Sequence, residues 1–224
     1  MERVSLAKKV LSENDRIAAD LRRRFADQST LVLNFISSPG SGKTLLLERT
    51  LAALPKDLRI GVLTGDIQTD NDARRLMRAG FPVQQITTAG ACHLDARMID
   101  RALEAWKNDT FDLLFIENVG NLVCPTSYDL GEEYKIVLLS VTEGEDKPLK
   151  YPGAFFKSRA MILNKIDLLP YVPFDMQAAR ANARRIHPEI EIFETSCLTG
   201  AGIPEWLSWI HRQLAGRDAG VLLS

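Results

Sequence analysis

Seven short runs dominated by Val, Ile, Leu and Phe recur along the chain: residues 31–37 (LVLNFIS), 59–66 (RIGVLTGD), 83–88 (VQQITT), 111–118 (FDLLFIEN), 135–142 (KIVLLSVT), 160–167 (AMILNKID) and 189–195 (EIEIFET). Most are apolar almost without interruption, which is the pattern of strands buried on both faces of a parallel sheet. Between them lie segments with helical spacing, at 43–54, 70–79, 93–107, 174–186 and 203–214. Strand and helix in regular alternation predict an α/β fold, a mostly parallel sheet of about seven strands with helices on both faces. Residues 3–27 read as a further helix outside that rhythm. The expected organisation is an N-terminal helical segment (1–29), one α/β domain (30–216) and a short tail (217–224).

Composition narrows the class. The 224 residues are 46% hydrophobic and 25% charged, with a formal net charge of −1. That balance excludes a general nucleic-acid binder, which needs a basic face. No apolar run reaches membrane-spanning length, and the first residues lack the apolar core of a signal peptide. The cysteines, Cys92, Cys124 and Cys197, are three in number. An odd count in a chain of this size fits reduced thiols in the cytoplasm better than a disulfide framework.

The chemistry begins after the first strand, at residues 37–44 (SSPGSGKT). Small residues let successive backbone N–H groups curl around phosphate oxygens. A lysine is needed for the β- and γ-phosphates and a hydroxyl for Mg²⁺. Gly40, Ser41, Gly42, Lys43 and Thr44 supply these, and with Leu45 they open the helix whose N-terminal dipole faces the phosphates. Ser37 stands where the usual pattern has glycine. Strand and helix nevertheless flank the loop in the required order, so it reads as a P-loop.

The base is read from residues 164–167 (NKID). A carboxylate at Asp167 can accept from both N1–H and N2–H₂ of guanine, and adenine offers no such pair. Asn164 would reach the other edge of the base and the stem of Lys165 would lie over its face. Residues 195–202 (TSCLTGAG), with Ser196 and Cys197, then form the loop closing over the base, contributing mainly backbone. Two strands end in acid, at Asp66 and at Glu117. Both are candidates for holding Mg²⁺ or orienting the attacking water, and Gly120 for donating its N–H to the γ-phosphate. Lys43, Asp66 and Glu117 are thus the expected catalytic residues of a GTPase.

Cys92 and His93 lie side by side where a helix is predicted to begin. Two readings stay open from the residues alone. Cys92 falls on the apolar stripe of the 94–106 segment and His93 on its polar side, as a buried thiol beside a solvated imidazole would. A thiol in the first turn of a helix, however, has its pKa lowered by the unpaired N–H groups, and Cys124 offers a second thiol in the loop after the next strand, on the same edge of the sheet if the two strands are neighbours.

At this point the chain resembles a known family. SSPGSGKT, GDIQTDND, GACHLDARMI, FIENVGNLVCP, SVTEGEDKPLKYP and LNKIDLLPY together are similar to the HypB family of nickel-incorporation GTPases, of the SIMIBI class of P-loop GTPases. The resemblance runs from about residue 10 to 214. It implies a slow GTPase acting as a metallochaperone for [NiFe]-hydrogenase, with Mg²⁺ at Thr44, Asp66 and Glu117, and with Ni²⁺ or Zn²⁺ at Cys92, His93 and Cys124. It also implies a GTP-dependent homodimer, reached across by Lys147 or Lys150, and a HypA-like nickel metallochaperone as partner. The hydrogenase large-subunit precursor is served indirectly. Residues 1–30 contain neither Cys nor His, unlike family members that store nickel near the N-terminus. The alternative is a targeting or signalling GTPase of the same class whose thiols merely pack.

Overall fold

The computed structural model describes residues 2–66, 71–77, 80–88 and 90–221, with side chains for 9–65, 73–77, 80–88 and 90–217. Strands β1 (Leu31–Ser37), β2 (Ile60–Asp66), β3 (Val83–Thr87), β4 (Leu113–Gly120), β5 (Tyr134–Ser140), β6 (Ser158–Asn164) and β7 (Glu191–Thr195) form one parallel sheet. Their order is β3-β2-β4-β1-β5-β6-β7. All seven predicted strands are present. Because every pairing is parallel, the carboxyl ends, and the loops that follow them, gather on one edge. The chain order reverses beside β1, which makes the crevice outside its carboxyl end the natural ligand site.

The helices are α1 (Glu2–Asp27), α2 (Lys43–Ala53), α3 (Asn71–Met77), α4 (Ala96–Leu103), α5 (Cys124–Ser127), α6 (Lys147–Lys150), α7 (Pro152–Phe156), α8 (Met176–Ile186) and α9 (Ile203–Val221). Alternation along the strands decides which helices each face receives. On β1, Leu31, Leu33 and Phe35 meet Leu46, Leu47 and Leu51 of α2 and Trp206 and Trp209 of α9. Val32 points the other way, into a cluster with Ala18, Leu21 and Phe25 of α1 and Ile99 and Leu103 of α4. Further along that face, Ile36, Val137 and Leu163 pack with Phe155 of α7 and Ala179 and Ala183 of α8. The N-terminal helix therefore completes one face of the sheet. The last helix runs on to Val221, beyond the predicted end at 214.

One helix start was misplaced by the sequence pattern. The 93–107 segment becomes α-helical only at Ala96, where Asp95 caps it by accepting from Met98 N. It ends at Leu103 and passes into a 3₁₀ turn over Glu104–Trp106. Asp95 is a far better N-cap than Cys92 or His93, because its carboxylate satisfies an orphan N–H. Cys92 and His93 lie in the turn before the helix, so Cys92 is not in the first helical turn where it was expected.

Candidate functional site

The P-loop leaves β1 and opens α2. Gly40 and Gly42 have φ of 75° and 99°. A Cβ on Gly42 would lie 2.6 Å from Asn164 Nδ2, so glycine is required there on both counts. Lys43 donates to Ser37 Oγ at 2.7 Å, and Ser37 is fully buried. The serine that departs from the usual pattern is therefore an acceptor for the P-loop lysine. Together with Leu45, Gly120 and Lys165, the loop lines a cleft of about 590 Å³.

Glu117 is 3% exposed and turns into this cleft. Its carboxylate accepts from Thr44 Oγ1 at 2.7 Å and from Thr64 Oγ1 at 3.4 Å. Thr64 was not singled out in the sequence; a threonine two residues before an acidic strand end is the only signal it gives. The hydroxyl and carboxylate expected to share Mg²⁺ thus already touch. Asp66 closes β2, in register with Thr87. Its side chain, and residues 67–70 of the GDIQTDND stretch, lie outside the described residues. Gly120 sits against the P-loop: a Cβ there would lie 3.0 Å from Pro39 Cα. Between Glu117 and Gly120 the register with β1 slips, as Phe35 pairs with Glu117 but Ser37 with Gly120. Strand β4 therefore carries one extra residue at this point, a bulge of the kind that re-aims side chains beside sites.

The NKID segment and the 195–202 loop meet on the other side of the P-loop. Asn164 donates to Ser41 O at 2.9 Å, and Lys165 to Gly40 O at 2.6 Å. Lys165 adopts the left-handed conformation, φ 65°, which turns its stem back across the loop. Asn164 Oδ1 accepts from Thr195 Oγ1 at 3.0 Å and from the Cys197 thiol at 3.6 Å. Ser196 Oγ donates to Asp167. Side chains of this loop therefore hold the expected base-site residues Asn164 and Asp167, where mainly backbone was expected. Cys197 is buried, and that burial pushes its thiol up to about 11, so it stays a neutral donor.

The second cluster lies on the same edge. Cys92 Sγ is 2.7 Å from Cys124 Sγ and 3.7 Å from His93 Nδ1. One ligand atom from each of the three falls within 4.8 Å of the others. This is the one such His/Cys/Asp/Glu cluster among the described residues. Cys124 is the first residue of the four-residue α5, and Cys92 precedes α4. The strands before these residues, β3 and β4, are not neighbours; β2 lies between them. The loops nevertheless meet above β2, where Leu94, the residue after His93, packs so close to Gly65 that a Cβ there would lie 2.8 Å from its Cδ2.

His93 stacks on Tyr128, with ring centroids 3.8 Å apart and planes at 21°. It is half-buried, not on a solvated helix face as its periodicity indicated. Burial holds its imidazole below the ordinary value, so the neutral, ligating form prevails near pH 7. The Cys124 thiol is pushed up, first by its hydrogen bond with Cys92 and then by burial. Two thiols and an imidazole are a donor set suited to a soft or borderline metal, Zn²⁺ or Ni²⁺. A metal bonded to both sulfurs holds them further apart than 2.7 Å, so loading would open the pair. Asn121 Nδ2 donates to Cys92 O at 3.3 Å and ties the two loops together.

Comparison with known proteins decides the family. Residues 31–194 match the family model described as CobW/HypB/UreG, nucleotide-binding domain. Hydrogenase maturation factor HypB of Azotobacter vinelandii is 53% identical over 208 residues, covering 93% of this chain and 69% of the relative. The chain belongs to the HypB family. Among solved structures, HypB from Helicobacter pylori in complex with nickel superposes with a TM-score of 0.86 at 42% identity, covering 91% of this chain and 96% of that one. The signal recognition particle 54 kDa protein of Aeropyrum pernix, in complex with GDP, has a TM-score of 0.55 at 12% identity over 75% of this chain and 42% of its own, a likeness of fold alone. The HypB fold with its nucleotide-binding domain is thus established here, and the P-loop and the Cys92–His93–Cys124 cluster both lie on its carboxyl edge. Among the described residues no helix is long and apolar enough to cross a membrane.

Proposed function

We propose that this protein is a GTP-hydrolysing metallochaperone that assists nickel insertion into [NiFe]-hydrogenase, with metal affinity set by the nucleotide. The carrying observation is that the Cys124 ligand lies four residues beyond Gly120, on the segment that leaves the nucleotide cleft. The nickel complex of the H. pylori relative supports the same reading.

In the cleft, backbone N–H groups of the P-loop and the Lys43 ammonium would bind the β- and γ-phosphates. Thr44, Glu117 and Asp66 would hold Mg²⁺, which when bound neutralises charge developing on the transferred phosphoryl group. Glu117, pinned by Thr44 and Thr64, orients the attacking water or the metal's water shell. Asp167, held by Ser196, takes the N1–H and N2–H₂ edge of guanine, and Asn164 takes the opposite edge. Adenine would leave the carboxylate unpaired, so selectivity follows.

Nickel is cargo for Cys92, His93 and Cys124. Three ligands leave a position for water or for a group from a second copy of the chain. A GTP-dependent homodimer, a HypA-like nickel metallochaperone and, through it, the hydrogenase precursor are the proposed partners, in the cytoplasm. Within one chain Lys147 donates to Ser38 Oγ at 3.1 Å and Lys150 pairs with Asp146 at 2.6 Å. A trans role for either lysine would require these contacts to be exchanged.

The test is Ni²⁺ titration of the purified protein with GDP and with a non-hydrolysable GTP analogue. The two affinities should differ by about 5–150-fold, and metal must shift the GDP/GTP preference by the same factor. Cys124→Ala should weaken metal and flatten this difference while guanine-nucleotide affinity in metal-free buffer stays close to wild type. Metal binding unchanged by Cys124→Ala would instead assign the thiols to packing and favour a targeting-type GTPase.

A further inference from the structure

Beneath the metal loops runs a buried polar chain that neither phosphate chemistry nor metal ligation uses. Asn118, 1% exposed, lies on the β4 bulge between Glu117 and Gly120. Its Oδ1 accepts from Leu94 N at 3.3 Å, the residue after His93, and from Val119 N at 3.0 Å. Its Nδ2 donates to Asn34 Oδ1 at 3.3 Å, in the middle of β1. Asn34, fully buried, donates in turn to Glu132 Oε1 at 3.0 Å. Glu132 accepts from Lys135 Nζ, which also donates to Tyr128 O at 3.0 Å. Tyr128 is the ring that stacks on His93. The chain therefore grips His93 from two sides, through the Leu94 backbone and through Tyr128.

Each buried polar side chain here is satisfied by the next. Removing one leaves the others short of a partner in a low-dielectric interior, so the network holds one arrangement rather than deforming gradually. One end of it is attached to the segment expected to move with the γ-phosphate. The bulge at Asn118 is where β4 can shift against β1 without breaking the ladder on either side.

We propose that Asn118 is a positioning residue that transmits nucleotide state to the metal site, with Asn34, Glu132 and Lys135 as its fixed anchor. Movement of residues 117–120 toward the γ-phosphate draws the Asn118 amide and, through Leu94 N, turns the Cys92–His93 loop relative to Tyr128. This rests on the nucleotide-dependent metal binding proposed above.

A contiguous network is not by itself coupling, so the test must read coupling directly. Ni²⁺ affinity is measured with GDP and with the GTP analogue for wild type, Asn118→Ala and Asn14→Ala. Asn14 braces the same loops, donating to Asp129 O and accepting from Ala96 N, both at 2.9 Å, yet it makes no hydrogen bond to β4. If Asn118 transmits, its variant brings the GDP/GTP affinity ratio to within about twofold of one, while Asn14→Ala keeps the wild-type ratio. A ratio preserved in Asn118→Ala overturns the inference and leaves the proposed function standing. Equal loss in both variants also overturns it, as general loosening. A wild-type ratio of one removes both readings together. A second measurement needs no variant: in metal-free wild type, hydrogen exchange at the Leu94 amide should differ severalfold between the GDP and GTP-analogue states. Identical exchange overturns the inference.

Discussion

Gly120→Ala probes the join between the two sites with the smallest possible change. The added methyl would meet Pro39 Cα at 3.0 Å, Cγ at 3.1 Å and N at 3.1 Å. Two of these are backbone atoms of the P-loop, so no flexible side-chain end can swing away. Gly120 is not among the residues with positive φ; the penalty is therefore contact, not backbone strain. Overpacking of this kind costs about 1–3 kcal/mol. In a chain of this size that lowers the Tm of nucleotide-free protein by roughly 2–12 °C. The functional effect has a different signature. If the Gly120 N–H bonds the γ-phosphate, pushing it off the P-loop loses a charge-assisted hydrogen bond of about 1.5–3 kcal/mol in the GTP state alone. GTP-analogue affinity should then fall about 12–150-fold more than GDP affinity, since each 1.4 kcal/mol is tenfold. Fluorescent-nucleotide titration reads both on the same sample. Equal losses for GDP and GTP analogue would assign the effect to the P-loop as a whole, and an unchanged GTP-analogue affinity would refute the placement of Gly120 beside the γ-phosphate.

Three other outcomes follow from the same geometry. Lys43→Ala should abolish hydrolysis and strongly weaken nucleotide binding, because the ammonium is a point charge on the β- and γ-phosphates; near-normal turnover would remove it from the phosphate site. Asp167→Asn places an amide against a guanine donor and should cut GTP-over-ATP selectivity by at least about tenfold in a competition assay, the loss of one charge-assisted bond; full selectivity would take Asp167 out of the base site. Cys197, with its thiol up at about 11, should be the last cysteine alkylated by iodoacetamide at pH 8, since the thiolate is the reactive form. Peptide mass mapping that finds Cys197 modified before Cys92 and Cys124 would contradict its buried, protonated state.

The sequence alone settled what depends on neighbours along the chain. Apolar runs of strand length set the seven strands, because a buried parallel strand needs nothing beyond its own composition. The P-loop and the NKID segment stood out as candidates for the same reason: a turn that can cradle phosphate, or the 3₁₀ turn after β6 that carries Asp167, is built from consecutive residues. Where partners lie far apart in sequence, the tertiary structure decided. Cys92 and Cys124 are 32 residues apart, and only the shared carboxyl edge of the sheet brings their sulfurs to 2.7 Å. His93 looked solvated by helical spacing; the Asp95 cap removed it from the helix and Tyr128 covered it. Thr64 and Thr195 read as ordinary hydroxyls, and Ser196 as a residue contributing mainly backbone, until folding aimed their side chains at Glu117, Asn164 and Asp167. Asn34 and Asn118 gave no signal at all. An asparagine inside an apolar strand shows its role only when the burial around it and the one partner that satisfies its amide are both in place.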